Sequence, residues 1–139
     1  MKLIYLAMTF SALLISITPN ALGAFGDIAL TAPKMVNTSG QELTSFQVGQ
    51  QIGVESVLTN HAYSEQKFTY IVQVIDKYGA TEYLEGFSAS MVSNQSFTAS
   101  QVWIPKEPGQ YTIQVFVWDS LKSDIPLTNV LQTQITVNP

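Results

Sequence analysis

Few residues in this sequence have the types and spacing to do chemistry. There is one histidine, His61, and no cysteine. Nucleophilic catalysis needs a base held beside the nucleophile, and no G-x-S-x-G elbow is present. His61 lies in "TNHAYSE" and reads as a solvated loop residue. A blue-copper centre needs two histidines and a cysteine, which excludes it. Glycosidases work with two carboxylates. Glu82 and Glu85 flank Tyr83 and Leu84, with Asp76 just before them. Residues three apart in a strand point to opposite faces, so that pair is poorly placed to cooperate. Asp119 and Asp124 bracket Lys122 without the Asp-x-Asp spacing of a calcium loop, and read as a solvated turn. The sequence therefore predicts no catalytic residue, no cofactor and no metal site; an enzyme is not expected.

Charge narrows the partners. The chain has 139 residues, with six Lys or Arg against ten Asp or Glu. All six basic residues are lysine, and Lys2 precedes the main domain. Nucleic acid is excluded as a partner, because phosphate neutralisation needs clustered Lys and Arg. An anionic membrane surface is equally poor as a partner, on the same ground.

One pattern does point to a surface with a task. In "EPGQYTIQVFVWDS" (107–120) the residues alternate, with Tyr111, Ile113, Val115 and Val117 on one side and Thr112, Gln114, Phe116 and Trp118 on the other. The first set suits a core. The second ends in two large aromatics, with no charge between Glu107 and Asp119. The segments 67–76 and 129–138 alternate in the same way. Their outward sets are Thr69, Ile71, Gln73 and Ile75, and Val130, Gln132, Gln134 and Thr136. If these three strands are neighbours, their outer face gathers Ile71, Gln73, Ile75, Gln114, Phe116, Trp118, Gln132 and Gln134 without a charge. Uncharged patches rich in aromatics mark interaction sites. Either this face is a contact surface, or loops at 81–95 or 119–129 fold over it as a second small core. As a contact surface it suits another cell-surface protein or a second copy, with a polysaccharide stacking on the aromatics as the alternative.

The elements that must position this face are strands. Short alternating runs separated by turn residues predict an all-β sandwich. The runs are 27–37 (interrupted at Pro33), 50–60, 67–76, 81–91 (a short edge strand and a loop), 95–105, the stretch beginning at Tyr111, and 129–138. In 95–105 the phase is ambiguous: Phe97 shares parity with Trp103, and Val102 shares the opposite parity with Ile104. A bulge would reconcile them. About seven strands fit a single immunoglobulin-like antiparallel sandwich. Pro108 and Gly109 form a corner before Tyr111, whose hydroxyl is placed to return to backbone there, as in the tyrosine corner of such domains.

The run "SFQVGQQIGVESVLTN…FTYIVQVIDKYG…VWIPKEPGQYTIQVFVWDSL" resembles small exported immunoglobulin-like modules of archaeal cell-surface proteins, and more broadly bacterial and archaeal adhesion-type repeats. The resemblance covers most of residues 40–139. Its markers, "VGQ" and "PGQY", specify the fold rather than a reaction. It implies a surface or extracellular setting and brings no catalytic residues.

The N-terminus supports export. Lys2 is followed by an uncharged run from Leu3 to Ile17, then Pro19, Asn20 and "ALGAF". This is the layout of a secretory signal peptide. Cleavage is expected after Gly23, with Ala24 as the alternative, leaving 24–139 as the domain. A spanning helix needs about 20 apolar residues, and Pro19 comes too early, so no transmembrane anchor is expected. An exported domain without cysteine must be held by its core alone. Sequons at Asn37 and Asn94 fall in predicted turns, where glycosylation acceptors must be accessible.

Overall fold

Alternation of buried and exposed side chains is clearest along residues 109–118, where every second side chain is buried. The computed structural model describes residues 27–123 and 125–139; the expected signal segment 1–23, the rest of 1–26, and Asp124 lie outside the described residues. Among the described residues nine strands form two sheets. The first strand is split by Pro33 into β1 (Ile28–Leu30) and β2 (Lys34–Val36). β3 (Phe46–Gln47) is very short. β4 (Ile52–Asn60), β5 (Gln66–Asp76), β6 (Thr81–Met91), β7 (Ser96–Trp103), β8 (Gly109–Trp118) and β9 (Leu131–Asn138) are the long elements.

In the first sheet β4 is the common partner of β1, β2 and β7. β7 pairs along Ile52–Thr59, so β1 and β2 share the opposite edge of β4. The second sheet runs β3-β9-β8-β5-β6, antiparallel except where β3 lies parallel to the end of β9. This is an immunoglobulin-like sandwich. β3 is an addition to the strands expected, and 81–91 is a correction: it forms one continuous strand of 11 residues rather than a short strand and a loop. The phase of β7 is also settled without a bulge. β4 and β7 pair in unbroken register, with Ala99 and Trp103 buried and Val102 51% exposed.

Between the sheets, Ile52, Val54 and Leu58 of β4 meet Phe68, Tyr70, Val72 and Val74 of β5 and Ile113, Val115 and Val117 of β8, all essentially inaccessible. Phe68, Tyr70, Phe87 and Phe97 stack at tilted and edge-on angles along one side, with centroids 5.6–6.2 Å apart. Two buried polar residues cross the core. The Tyr70 hydroxyl lies 3.2 Å from the Val54 carbonyl and 3.3 Å from Ser56 Oγ. Asn60, fully buried at the end of β4, has its amide nitrogen within 3.2 Å of the carbonyls of Ser64, Met91 and Val92. Its Oδ1 accepts the Ala62 N–H at 2.9 Å. One side chain thus ties β4 to both connections that cross between the sheets at this end.

Two predictions follow from these residues. Truncation of Asn60 leaves one buried and three partly buried backbone groups without this partner, and a fully buried unpaired group costs about 1–3 kcal/mol. Asn60→Ala should therefore lower stability by roughly 3 kcal/mol, read as a drop in urea midpoint; a change below about 0.5 kcal/mol would remove Asn60 as a joint. Burial pushes the Tyr70 phenol from 10.0 up to about 12, with Glu55 adding to the rise and the Ser56 hydrogen bond opposing it. Between these values the unfolded chain releases a proton that the folded chain retains, so stability present below pH 10 is lost as pH rises towards 12. The loss is about 2–3 kcal/mol at about 1.4 kcal/mol per unit. Urea melts from pH 9 to 11 should show a steeper decline in the wild type than in Tyr70→Phe.

Candidate functional site

The outer face of the second sheet is built from four adjacent strands, and their register puts its side chains in rows. One row crosses Leu84, Gln73, Gln114 and Gln132; the next holds Gly86, Ile71 and Phe116; the third holds Ser88, Thr69 and Trp118. A fourth crosses Thr81, Ile75, Thr112 and Gln134. None of these residues is charged. Lys67 and Asp119 stand at one end of the face, and Glu85 at its rim.

The rows are internally bonded. Gln114 Nε2 donates to Gln132 Oε1 at 3.2 Å, and Gln73 Nε2 to Thr81 Oγ1 at 2.8 Å. Thr69 Oγ1 and Ser88 Oγ share a hydrogen bond of 2.7 Å. Phe116 and Trp118 pack edge to face, 6.1 Å between centroids at 69°. The face is graded in depth. Thr69 and Ile71 form a buried floor, with Ile71 only 7% exposed. Gln73, Ile75, Gln114, Phe116 and Trp118 are half-buried, and Gln132 and Gln134 are exposed.

Over that floor lies an open apolar groove of ≈ 450 Å³ between Trp118 and Leu121 on one wall and Leu84 on the other. Gly86 makes the groove possible. A Cβ there would sit 2.5 Å from the Tyr70 carbonyl oxygen and 3.1 Å from Ile71 Cγ1. Glycine at this position lets β6 approach β5 closely and leaves no side chain between Leu84 and Ser88.

Of the segments expected as a possible cover, residues 81–91 extend the sheet sideways as β6, and Leu121 of 119–129 lines the groove. The chain after β8 folds back on itself, with Asp119 N donating to Ile125 O and Leu127 N to Val117 O, both at 2.8 Å. Ser123 Oγ donates to Asp119 Oδ2 at 2.9 Å and tightens that turn. The result places Leu121, 69% exposed, at the groove mouth opposite Leu84, 58% exposed. Sequence reasoning missed Leu84, Gly86 and Leu121. Leu84, Gly86 and Ser88 do carry a signal, since they continue the uncharged alternation of the neighbouring strands.

The other singled-out residues lie elsewhere. Pro108 and Gly109 turn the chain into β8, and Tyr111 Oη donates to the Glu107 carbonyl at 2.8 Å. Trp103 packs edge-on against Tyr111, 4.9 Å between centroids. Burial raises the Tyr111 phenol, and Glu82, Glu107 and Asp76 raise it further. Glu82 and Glu85 are exposed on β6, and His61 is exposed in its loop. Among the described residues no group of three or more His, Asp and Glu side chains is placed to hold a metal ion. Asn37 is half-buried, its Oδ1 accepting the N–H groups of Ser39 and Gln41 at 2.9 Å. Asn94 is exposed in the β6–β7 turn at φ 60°.

No protein-family model matches the chain, and no curated protein matches it in sequence. Solved structures do. The CARDB domain of a Pyrococcus furiosus protein, determined in complex with di-metal ions, superposes with a TM-score of 0.58 at 17% identity, over 81% of this chain and 88% of that one. The C-terminal domain of wzt gives 0.67 at 9% identity, over 82% and 75%. A β-glucosidase from Listeria innocua gives 0.60 at 12% identity over 83% of this chain, but only 16% of the enzyme. These likenesses are to a shared fold, the immunoglobulin-like β-sandwich.

The tyrosine corner yields a direct test. Removing the Tyr111 hydroxyl deletes one hydrogen bond and keeps the ring packed on Trp103. Tyr111→Phe should cost roughly 1 kcal/mol in urea denaturation; a change near zero would mean that the bond contributes nothing to holding the corner.

Proposed function

We propose that this protein is a non-catalytic, extracytoplasmic immunoglobulin-like module that binds another cell-surface protein, or a second copy of itself, through the outer face of its five-stranded sheet. Its setting is the exterior of the cell, secreted or at the cell surface, as the N-terminal segment suggests. The observation that carries the reading is the uncharged face, with its groove between Trp118, Leu121 and Leu84 over a floor of Ile71 and Gly86. A solvated sheet face ordinarily carries charges that discourage association. Here that guard is missing over four strands, and large apolar side chains stand at the groove mouth. Likeness to CARDB domains is consistent with an adhesion-type role. The glycosidase likeness supports no hydrolysis, since it covers a small part of such an enzyme.

A second reading uses the same residues to bind carbohydrate. Trp118 beside Thr69 and Ser88 offers a ring surface next to hydroxyl groups, and the glutamine row lies alongside. Under this reading the groove takes a sugar ring rather than a protein side chain.

Trp118→Lys tests both. An aromatic anchor at such a face contributes about 2 kcal/mol or more, so the substitution should weaken association by roughly 30-fold while leaving the melting temperature within a few degrees. Sedimentation across concentration reads self-association, and capture on immobilised surface proteins and glycans reads the other partners. A wild type that remains monomeric and captures neither would sink the proposal. So would a Trp118→Lys variant that simply unfolds, because Trp118 would then belong to the core.

A further inference from the structure

Beside the outer face lies an edge with a different kind of binding capacity. Among the described residues β6 is the last strand of its sheet and pairs only with β5, so the backbone groups along its other side have no strand partner there. Natural sheets protect such edges with short strands, charge, proline or bulges. The first strand follows that rule, being broken at Pro33 into two pieces of three residues each. β7 is longer but overhung: Tyr83 Oη donates to Gln101 Oε1 at 3.1 Å, and the Phe87 ring lies 5.9 Å from that of Phe97. β9 is covered at its end by β3. β6 runs for 11 residues, and its pairing irregularity and both its charges, Glu82 and Glu85, fall within its first five. From Gly86 to Met91 there is no charge, no proline and no bulge.

We infer that the β6 edge pairs with the β6 edge of a second copy, antiparallel about a two-fold axis, joining two five-stranded sheets into one. The charge pattern selects both occupant and direction. In a parallel pair each glutamate would face its own copy, and like charges directly opposite are destabilising. In the antiparallel pair, with the axis at Phe87 or Ser88, Glu85 lies opposite Ala89 or Met91 and Glu82 comes level with Val92 or Asn94, all of them uncharged. The sequence is thus its own complement in one direction only. A two-fold contact also closes, so the association stops at a dimer. Because the axis stands perpendicular to the sheet, the two uncharged outer faces come to lie side by side. The contact is made by backbone and goes beyond the proposed face, leaving Trp118 free.

The absence of native cysteine makes the test clean. Single cysteines are placed at Glu85, Phe87, Ser88, Ala89 and Ser90 in the full chain, and disulfide formation is followed under mild oxidation. A residue on the two-fold faces its own copy at a Cα separation of about 4.5–5.5 Å, within disulfide reach. Cross-linking should therefore peak sharply at one position, Phe87 or Ser88, and fall away on both sides. Hydrogen exchange on the wild type is the companion measurement and depends on no variant. Amides of β6 should gain protection as concentration rises, while those of β9 do not. Trp118→Lys should leave both results unchanged, so failure of the face and failure of the edge are separate outcomes. A flat cross-linking profile, or exchange in β6 that ignores concentration, would overturn the edge pairing.

Discussion

The two sheets are held in relation to each other by a carboxamide. Asn60 sits at the point where the chain leaves the first sheet for the second, and where it later returns. A buried amide has two donors and an acceptor to satisfy, and the cost of leaving them unpaired is what gives such a residue authority over its surroundings. Here the carbonyls of Ser64, Met91 and Val92 and the N–H of Ala62 are all drawn to one side chain. The backbone of Asn60 joins in, its N–H donating to Gln95 O and its carbonyl accepting from Asn94 N. Neither disulfide nor buried ion pair is available to do this; the single described salt bridge, Lys34 with Glu42, spans 3.9 Å at the surface and contributes little. Met91, one of these partners, also pairs with Gln66 at the start of the β5–β6 ladder, whose register places Gly86 opposite Ile71.

Much of the fold was legible because period-2 alternation is a local signal. Ile52, Val54, Ser56 and Leu58 of β4, and Phe68, Tyr70, Val72 and Val74 of β5, face inward as their spacing indicates. Pro33 announced the break between β1 and β2. The difficulties arose where neighbours decide. In β7 both parities carry large apolar residues, so the sequence alone is neutral; pairing with β4 puts Trp103 inside and leaves Val102 and Ile104 exposed. In β6 the cores of the alternation are weak, because an edge strand is half solvated on both faces and its inward set includes Glu85. β3 is two residues long and has no pattern to read. Asn60 is the instructive case: it closes the run 50–60 with no sign in the sequence of its burial, which only tertiary structure reveals.

The candidate face was legible in composition but not in relief. The absence of charge from Gln114, Phe116, Trp118, Gln132 and Gln134 is visible in the chain. Depth is not, since it depends on which strands lie side by side and on what stands beside them. Ile71 reads as an outward residue and is outward by parity, yet it is buried between Phe116 and Gly86. A missing side chain on β6 and a folded-back turn after β8 convert a flat sheet into a groove.

An uncharged face also has a consequence for how it responds to its medium. Ions weaken contacts by screening charge, over a Debye length of about 8 Å at physiological ionic strength. A surface made of amides, hydroxyls and aromatic rings gives them nothing to screen. The remaining charges of the domain are mostly acidic, so between two copies they oppose approach, and added salt relaxes that opposition. Salts that are excluded from protein surfaces strengthen apolar burial as well. A contact made through this face would therefore survive brine and tighten in it, whereas one built from ion pairs would loosen.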